Sequence, residues 1–260
     1  MTKSSPCIWL GDFSTQALSD FIADAEHPVL LWPVGSTEPH GPHLPLATDI
    51  ILSTENAERA ADALIERGIP TLVAPPLPYG VTDFAAGFDG AISIPLETMV
   101  AFLTAGISAF LDQGFVHVCL INHHLEPGQL KMLHLVRTAM TEKYGAGSVS
   151  YPEVVSRRWG VQLGDEFRSG ACHAGSYEGS LVLASTPELV DMEAARALPE
   201  VPISLSSAIK DGQKTFLEAG AQHAYTGRPG EASAQEGESL YAVLAEMVVT
   251  EVIEHLELKS

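Results

Sequence analysis

The sequence predicts an α/β protein built on a mainly parallel sheet with both faces covered. Three observations carry this. The strand-like runs are apolar on nearly every residue instead of alternating, as strands buried on both faces are. Helical stretches of roughly 15 residues separate them, as in βαβ units. Gly and Pro mark most of the changes from one to the next.

In chain order, the first strand is read in "HPVLLWPVGS" (27–36), a short apolar run ending in Gly-Ser. From Asp49 the text turns helical: "DIILSTENAERAADALIERG" is rich in Ala, Leu and Glu and stops at Gly68. A second short strand spans Thr71 to Ala74 and runs into a Pro-rich loop. "LETMVAFLTAGISAFLDQG" predicts a helix up to Gly114, and "FVHVCLIN" (115–122) a third buried strand. "GQLKMLHLVRTAMTEKYG" is the next helix, and "GSVSYPEVV" a fourth, weaker strand. Near the end, Leu240, Val243, Leu244 and Met247 stand at helical spacing, so a long amphipathic helix should lie on the domain. The stretch 199–238 is rich in Ser, Gly, Pro and Glu, and loops around a site entrance are expected there. Residues 1–260 are read as one domain, a length that buries a substantial core.

Composition excludes several function classes. With 46% apolar and 18% charged residues, the chain is globular and not disordered. The formal net charge is −19, from 33 acidic against 14 basic residues. Nucleic-acid backbones and anionic membranes need Lys and Arg, so neither is an expected partner. The surplus acid serves solubility, or else an acidic field that attracts a cationic substrate. No apolar run approaches the ~20 residues of a membrane helix. The opening "MTKSSPCIWLGDFSTQ" has no continuous apolar segment of the signal-peptide kind. Cys7, Cys119 and Cys172 form no C-x-x-C pair and leave one over, which suits reduced thiols in a cytoplasm.

The chemistry-bearing residues fall in three clusters. "GSTEPHGPHLPLATD" (35–49) holds Glu38, His40, His43 and Asp49 in a segment too rich in Pro and Gly for a helix. Residues two apart in extended chain share a side, so Glu38 and His40 can enter one pocket. Asp49 opens the predicted helix, where a cap would be its plain structural role. "NHHLEP" (122–127) follows the third strand, with His123, His124 and Glu126; His124 and Glu126 repeat the Glu38/His40 spacing in reverse. In parallel sheets sites gather at the carboxyl ends of strands, so both clusters should meet there. Glu38, His40, Asp49, His124 and Glu126 would supply enough N and O donors for two divalent ions sharing a carboxylate. With no Cys in either cluster, the donors suit zinc, manganese or iron(II). The third cluster, "CHAGSYEGS" (172–180), offers His173 as a general acid or base, and Glu178 as a capping, supporting or ligating carboxylate. Cys172 has no nearby Lys or Arg to activate it and is read as a small buried hydrophobe.

Taken in order, "PVGSTEPHGPHLPLATD", "INHHLEP" and "HAGSYEGS" resemble the creatininase family of amidohydrolases, over about residues 28–184. "PPLPYG" followed by "GFDGAISI" is similar to a loop of that family. The resemblance implies a three-layer α/β/α sandwich, a dinuclear metal site and a homo-oligomer, often a hexamer. Carried over by position, it implies Glu38 and His124 on one metal, His40 and Glu126 on the other, and Asp49 as the bridge. It implies His173 as the proton shuttle, Glu178 as the carboxylate of that motif, and His43 as a residue orienting a ligand. The chain departs from the pattern at Pro39 (usually Gln), His123 (usually Gly), Pro127 (commonly Asn) and Asp89 (usually Pro). His123, beside a ligand position, would touch substrate or fill the pocket. Glu126 favours the branch that includes true creatininases. Creatinine would want an aromatic lid, for which "GDEFRSGA" offers Phe167 but no Trp, while Trp159 reads as core.

The expected activity is metal-assisted hydrolysis of a non-peptide C–N bond in a small cyclic amide or formamide-like substrate. Hydrolysis of a C–C bond in a cyclic ketone, or of a lactone, is the alternative within enzymes. A metal-binding protein without turnover is the alternative outside them.

Overall fold

The computed structural model describes residues 8–258; Cys7 lies outside the described residues. The elements run α1 (Thr15–Asp24), β1 (Val29–Val34), α2 (Thr48–Glu66), β2 (Thr71–Val73), α3 (Leu96–Asp112), β3 (His117–Asn122), α4 (Pro127–Tyr144) and β4 (Val149–Ser150). Seven further helices follow: α5 (Arg157–Gly160), α6 (Gly164–Ser169), α7 (Ser176–Ser185), α8 (Met192–Ala197), α9 (Leu205–Lys210), α10 (Phe216–Ala219) and α11 (Ala234–Glu257).

The four strands form one parallel sheet in the order β2-β1-β3-β4, with Val29 opposite both Thr71 and His117. Side chains alternate between two apolar layers. Leu30, Trp32, Val118 and Leu120 pack with Leu103 and Ile107 of α3 and Met132 and Val136 of α4. Val29, Leu31, Cys119 and Ile121 pack with Ala57 and Ala61 of α2 and Val248 and Val252 of α11. This is the three-layer α/β/α sandwich, and two-sided burial is why the strands read as unbroken apolar runs. Pro33 is tolerated in a central strand for a local reason. Pairing of β1 with β2 ends at Leu31–Val73, so the donor that Pro33 lacks faces the place where β2 has stopped. Its carbonyl still accepts from the Leu77 N–H at 3.0 Å.

Pro127, one of the departures noted above, starts α4 at a position where a missing N–H costs nothing. The fourth strand shrinks to two residues, Val149 and Ser150. The 199–238 stretch contributes α9, α10 and the start of α11 instead of loops alone. Against α7, α11 approaches so closely that a Cβ on Gly237 would stand 2.0 Å from the Ser180 carbonyl oxygen. Among the described residues, no helix is long and apolar enough to cross a membrane.

Candidate metal centre

From β1 the chain passes to β2 on one side, while β3 and β4 lie on the other, so the β1/β3 junction is the switch point of the sheet. Val34 and Asn122 end the two strands side by side. The 35–49 and 122–127 segments leave from there, and the first turn of α2 returns to the same place. Gly35 permits this return: a Cβ there would lie 3.2 Å from Asp49 Cβ and 3.0 Å from the Ile50 nitrogen. The N-cap of α2 is Ala47, not Asp49, so the Asp49 carboxylate is free to face inward.

Glu38, His40, Asp49, His124 and Glu178 meet here, each 2% exposed or less. His124 Nδ1 lies 3.0 Å from Asp49 Oδ2 and 3.1 Å from Glu38 Oε1. His40 Nε2 lies 3.3 Å from Asp49 Oδ1 and 3.6 Å from Glu178 Oε2. The two oxygens of Asp49 thus face two different donor groups. Thr82 Oγ1 donates to the other oxygen of Glu38.

The far nitrogens of both rings are committed to backbone carbonyls. His40 Nδ1 is 3.1 Å from the Glu38 carbonyl oxygen, and His124 Nε2 is 2.8 Å from that of Val81. Since a carbonyl only accepts, these are the N–H nitrogens, and in the neutral rings the near nitrogens carry lone pairs. Those lone pairs face carboxylate oxygens. Buried, His40 Nε2 and Asp49 Oδ2 have no partner beyond these ring–carboxylate contacts. Such an arrangement is stable only around positive charge, either protons or metal ions.

The electrostatics agree. Burial alone would lower the His40 pKa, but Asp49, Glu178 and Glu38 lift it to about 10. Burial likewise opposes the charged form of His124, yet Glu38 and Asp49 raise it well above the usual imidazole value. Burial works against ionised Glu38 and Asp49 too; His124, with His40 at Asp49, nonetheless holds both below the usual carboxylate range. Burial pushes Glu178 up to about 8 against the pull of His40. Without other cations the cluster therefore collects protons. A divalent ion taking a proton's place would be held by Glu38, Asp49 and His124 on one side and by His40, Asp49 and Glu178 on the other. Nitrogen and carboxylate donors of this kind suit zinc or manganese.

Glu126 stands apart from His40. Its carboxylate accepts from the Asp83 and Phe84 N–H groups, both at 3.0 Å, and lies 3.9 Å from His124 Nε2. Burial raises it to about 7. His40 is grouped with Asp49 and Glu178, and Glu126 with Glu38 and His124, where the resemblance implied His40 together with Glu126. Sequence order hides this, because Glu178 reaches the centre from the first turn of α7, 138 positions beyond His40. The Ala174 N–H donates to its Oε2 at 2.6 Å.

The His173 ring stacks on Phe216 (4.3 Å between centroids, 25° between planes), with His40 at 4.4 Å on a tilted approach. Its Nε2 donates to the Pro39 carbonyl at 3.0 Å, leaving Nδ1 free, 3.8 Å from Glu38 Oε1. Burial, then His40, lower its pKa to about 4. His123 points the other way: Asn56 Nδ2 donates to its Nε2 at 3.1 Å, and burial lowers it to about 4. It neither lines nor fills the cavity. His43 packs edge-on against Tyr225, and burial lowers its pKa to about 4.

A cavity of about 350 Å³ opens over the cluster, with Phe84, Leu125, Leu205, Ile209 and Phe216 among its walls. Phe167 is buried against Tyr177 and contributes to the core, not to a lid, and Trp159 is core as read. Phe216, which reaches the site beside Phe84, lies in a stretch with no periodicity. Thr82 gave no sequence signal either. A second cavity of about 310 Å³, bordered by Glu166, Ser204 and Arg228, holds none of these imidazoles.

A family model for creatininase (creatinine amidohydrolase) matches residues 13–252. The chain belongs to the creatininase family. Among family relatives, the mycofactocin precursor peptide peptidase of Mycobacterium ulcerans (strain Agy99) is 30% identical over 253 residues, 94% of this chain and 91% of that protein. The creatinine amidohydrolase of Pseudomonas putida is 29% identical over 180 residues, 64% of this chain and 67% of that one. A solved mutant creatininase of Zn–Zn type shares the family fold, with a TM-score of 0.73 at 22% identity over 96% of this chain and 98% of the other. The chain is a creatininase-family hydrolase.

Proposed function

We propose that this hydrolase cleaves an amide C–N bond with the help of two divalent metal ions, zinc or manganese. The carrying observation is the pair of imidazole lone pairs aimed at the carboxylates of Glu38, Asp49 and Glu178 on the floor of an apolar cavity. Asp49 would be shared by both ions, Glu38 and His124 would hold one and His40 and Glu178 the other, while Glu126 holds the 83–84 backbone beside them.

Metal ions bound there would polarise the scissile carbonyl and lower the pKa of water. The chain's own residues supply the rest. The free Nδ1 of His173 takes a proton from the attacking water and delivers it to the departing nitrogen. The Pro39 carbonyl fixes the ring tautomer, and Phe216 keeps the ring plane and excludes bulk water. The apolar walls favour an amide with an aliphatic or aromatic group over a small polar ring such as creatinine. The peptidase name of a relative spanning 94% of the chain extends the substrate class to peptide-like amides.

The test is a panel of creatinine, formamides, short acyl-peptides, a lactone and a cyclic diketone, assayed with chelated and metal-reconstituted protein. Metal-dependent release of amine from an amide is expected. Turnover confined to the lactone or diketone overturns the C–N assignment, and none at all favours a binding role.

A further inference from the structure

The cavity has a second pole. Its floor is a cluster of carboxylates and imidazoles and its middle is apolar, while Ser206 and Lys210 of α9 border it on the exposed side. Among the described residues, Lys210 is the one Lys or Arg that lines the cavity. It has no ion-pair partner among them; Lys131, Arg157, Arg196 and Lys214 share that state but do not line this cavity, while Arg59, Arg67, Arg158, Arg168 and Arg228 are each engaged with a carboxylate. With acids outnumbering bases 33 to 14, an ammonium left unpaired at the mouth of a cavity stands out from its surroundings.

Building on the amide-hydrolase reading, we infer that Lys210 selects substrates that carry a carboxylate beyond an apolar group: N-acyl amino acids or short peptides with a free, apolar C-terminal residue. The scissile carbonyl must reach the floor. The apolar side chain then lies against Leu205, Ile209 and Phe216, and the terminal carboxylate meets the ammonium at the rim. A cationic end group would meet Lys210 with like charge, which reverses at the entrance the preference that the overall acidic field suggests.

The test uses metal-loaded enzyme and matched pairs: N-formyl-leucine with N-formyl-leucinamide, and acetyl-valyl-leucine with its C-terminal carboxamide. Wild type, K210R, K210M and K210E are compared for kcat and KM, and for binding of each compound by calorimetry. A preference of roughly two- to fivefold for the acid is expected, carried by KM. K210R should keep much of it, K210M bring the acid-to-carboxamide ratio near one, and K210E reverse it, with the preference shrinking as salt screens the pair. A Lys210-dependent preference in calorimetry without turnover upholds the recognition and sinks the hydrolase reading. Turnover with equal use of acid and carboxamide by wild type and K210M sinks the recognition alone. No Lys210-dependent difference in either measurement overturns the inference.

Discussion

His173 owes its free nitrogen to a backbone carbonyl: with Nε2 held by Pro39, Nδ1 is the nitrogen left for the proton transfer proposed above. Replacing it by Ala should lower kcat by about 10²–10⁴-fold. Metal content, read by elemental analysis, should stay unchanged, because no metal in the proposed arrangement depends on this ring. Asp49→Ala is the contrasting case: both ions should be lost together, since both donor groups share its carboxylate. Stepwise loss of a single ion would contradict the bridge. His123 tests the opposite prediction. Its ring pairs with buried Asn56, so His123→Ala should destabilise by about 1–3 kcal/mol in a denaturant titration while leaving KM unmoved. A large change in KM would put the ring back in the substrate path.

At the scale of elements, what could be read from the sequence follows length and period. β1, α2, β3 and α4 each carry enough consecutive apolar or periodic residues to be recognised, and their ends fix where Glu38, Asp49 and His124 emerge. Helices of four to six residues, such as α5, α9 and α10, offer too few positions for a period to show, so composition places the entrance in 199–238 without resolving its helices. Donor types were legible because charged residues in a Pro-rich segment have few structural uses. Their partners were not: whether His40 meets Glu126 or Glu178 depends on how α7 packs against α2 and α11. That packing has its own tolerance. Gly237→Ala would push a methyl group into the Ser180 carbonyl, so it should cost about 1–3 kcal/mol, seen as a fall in Tm with substrate affinity preserved in the folded fraction.

For the whole molecule, three buried carboxylates around two imidazoles are a burden until positive charge arrives. Chelation should therefore lower Tm, and added zinc or manganese should restore it, rising with the logarithm of free metal as a ligand of the native state requires. Acidification should release the ions, because donors that take up protons no longer bind them. A Tm indifferent to chelator would mean that protons alone satisfy the cluster.

The short helices α9 and α10 carry consequences beyond their size. Leu205, Phe216, Ala221 and Ala224 gather with Phe84 and Ala85 into a small apolar nucleus of their own, apart from the layers that clamp the sheet. The doorway therefore rests on a foundation largely its own, joined to the reactive floor where Phe216 stacks on His173 and Glu126 holds the Phe84 N–H. Changes along 199–215, stopping short of Phe216 and its stack on His173, should alter which guest molecules enter while the reactive floor keeps its shape, and grafting that shorter stretch between relatives should carry appetite across without carrying chemistry.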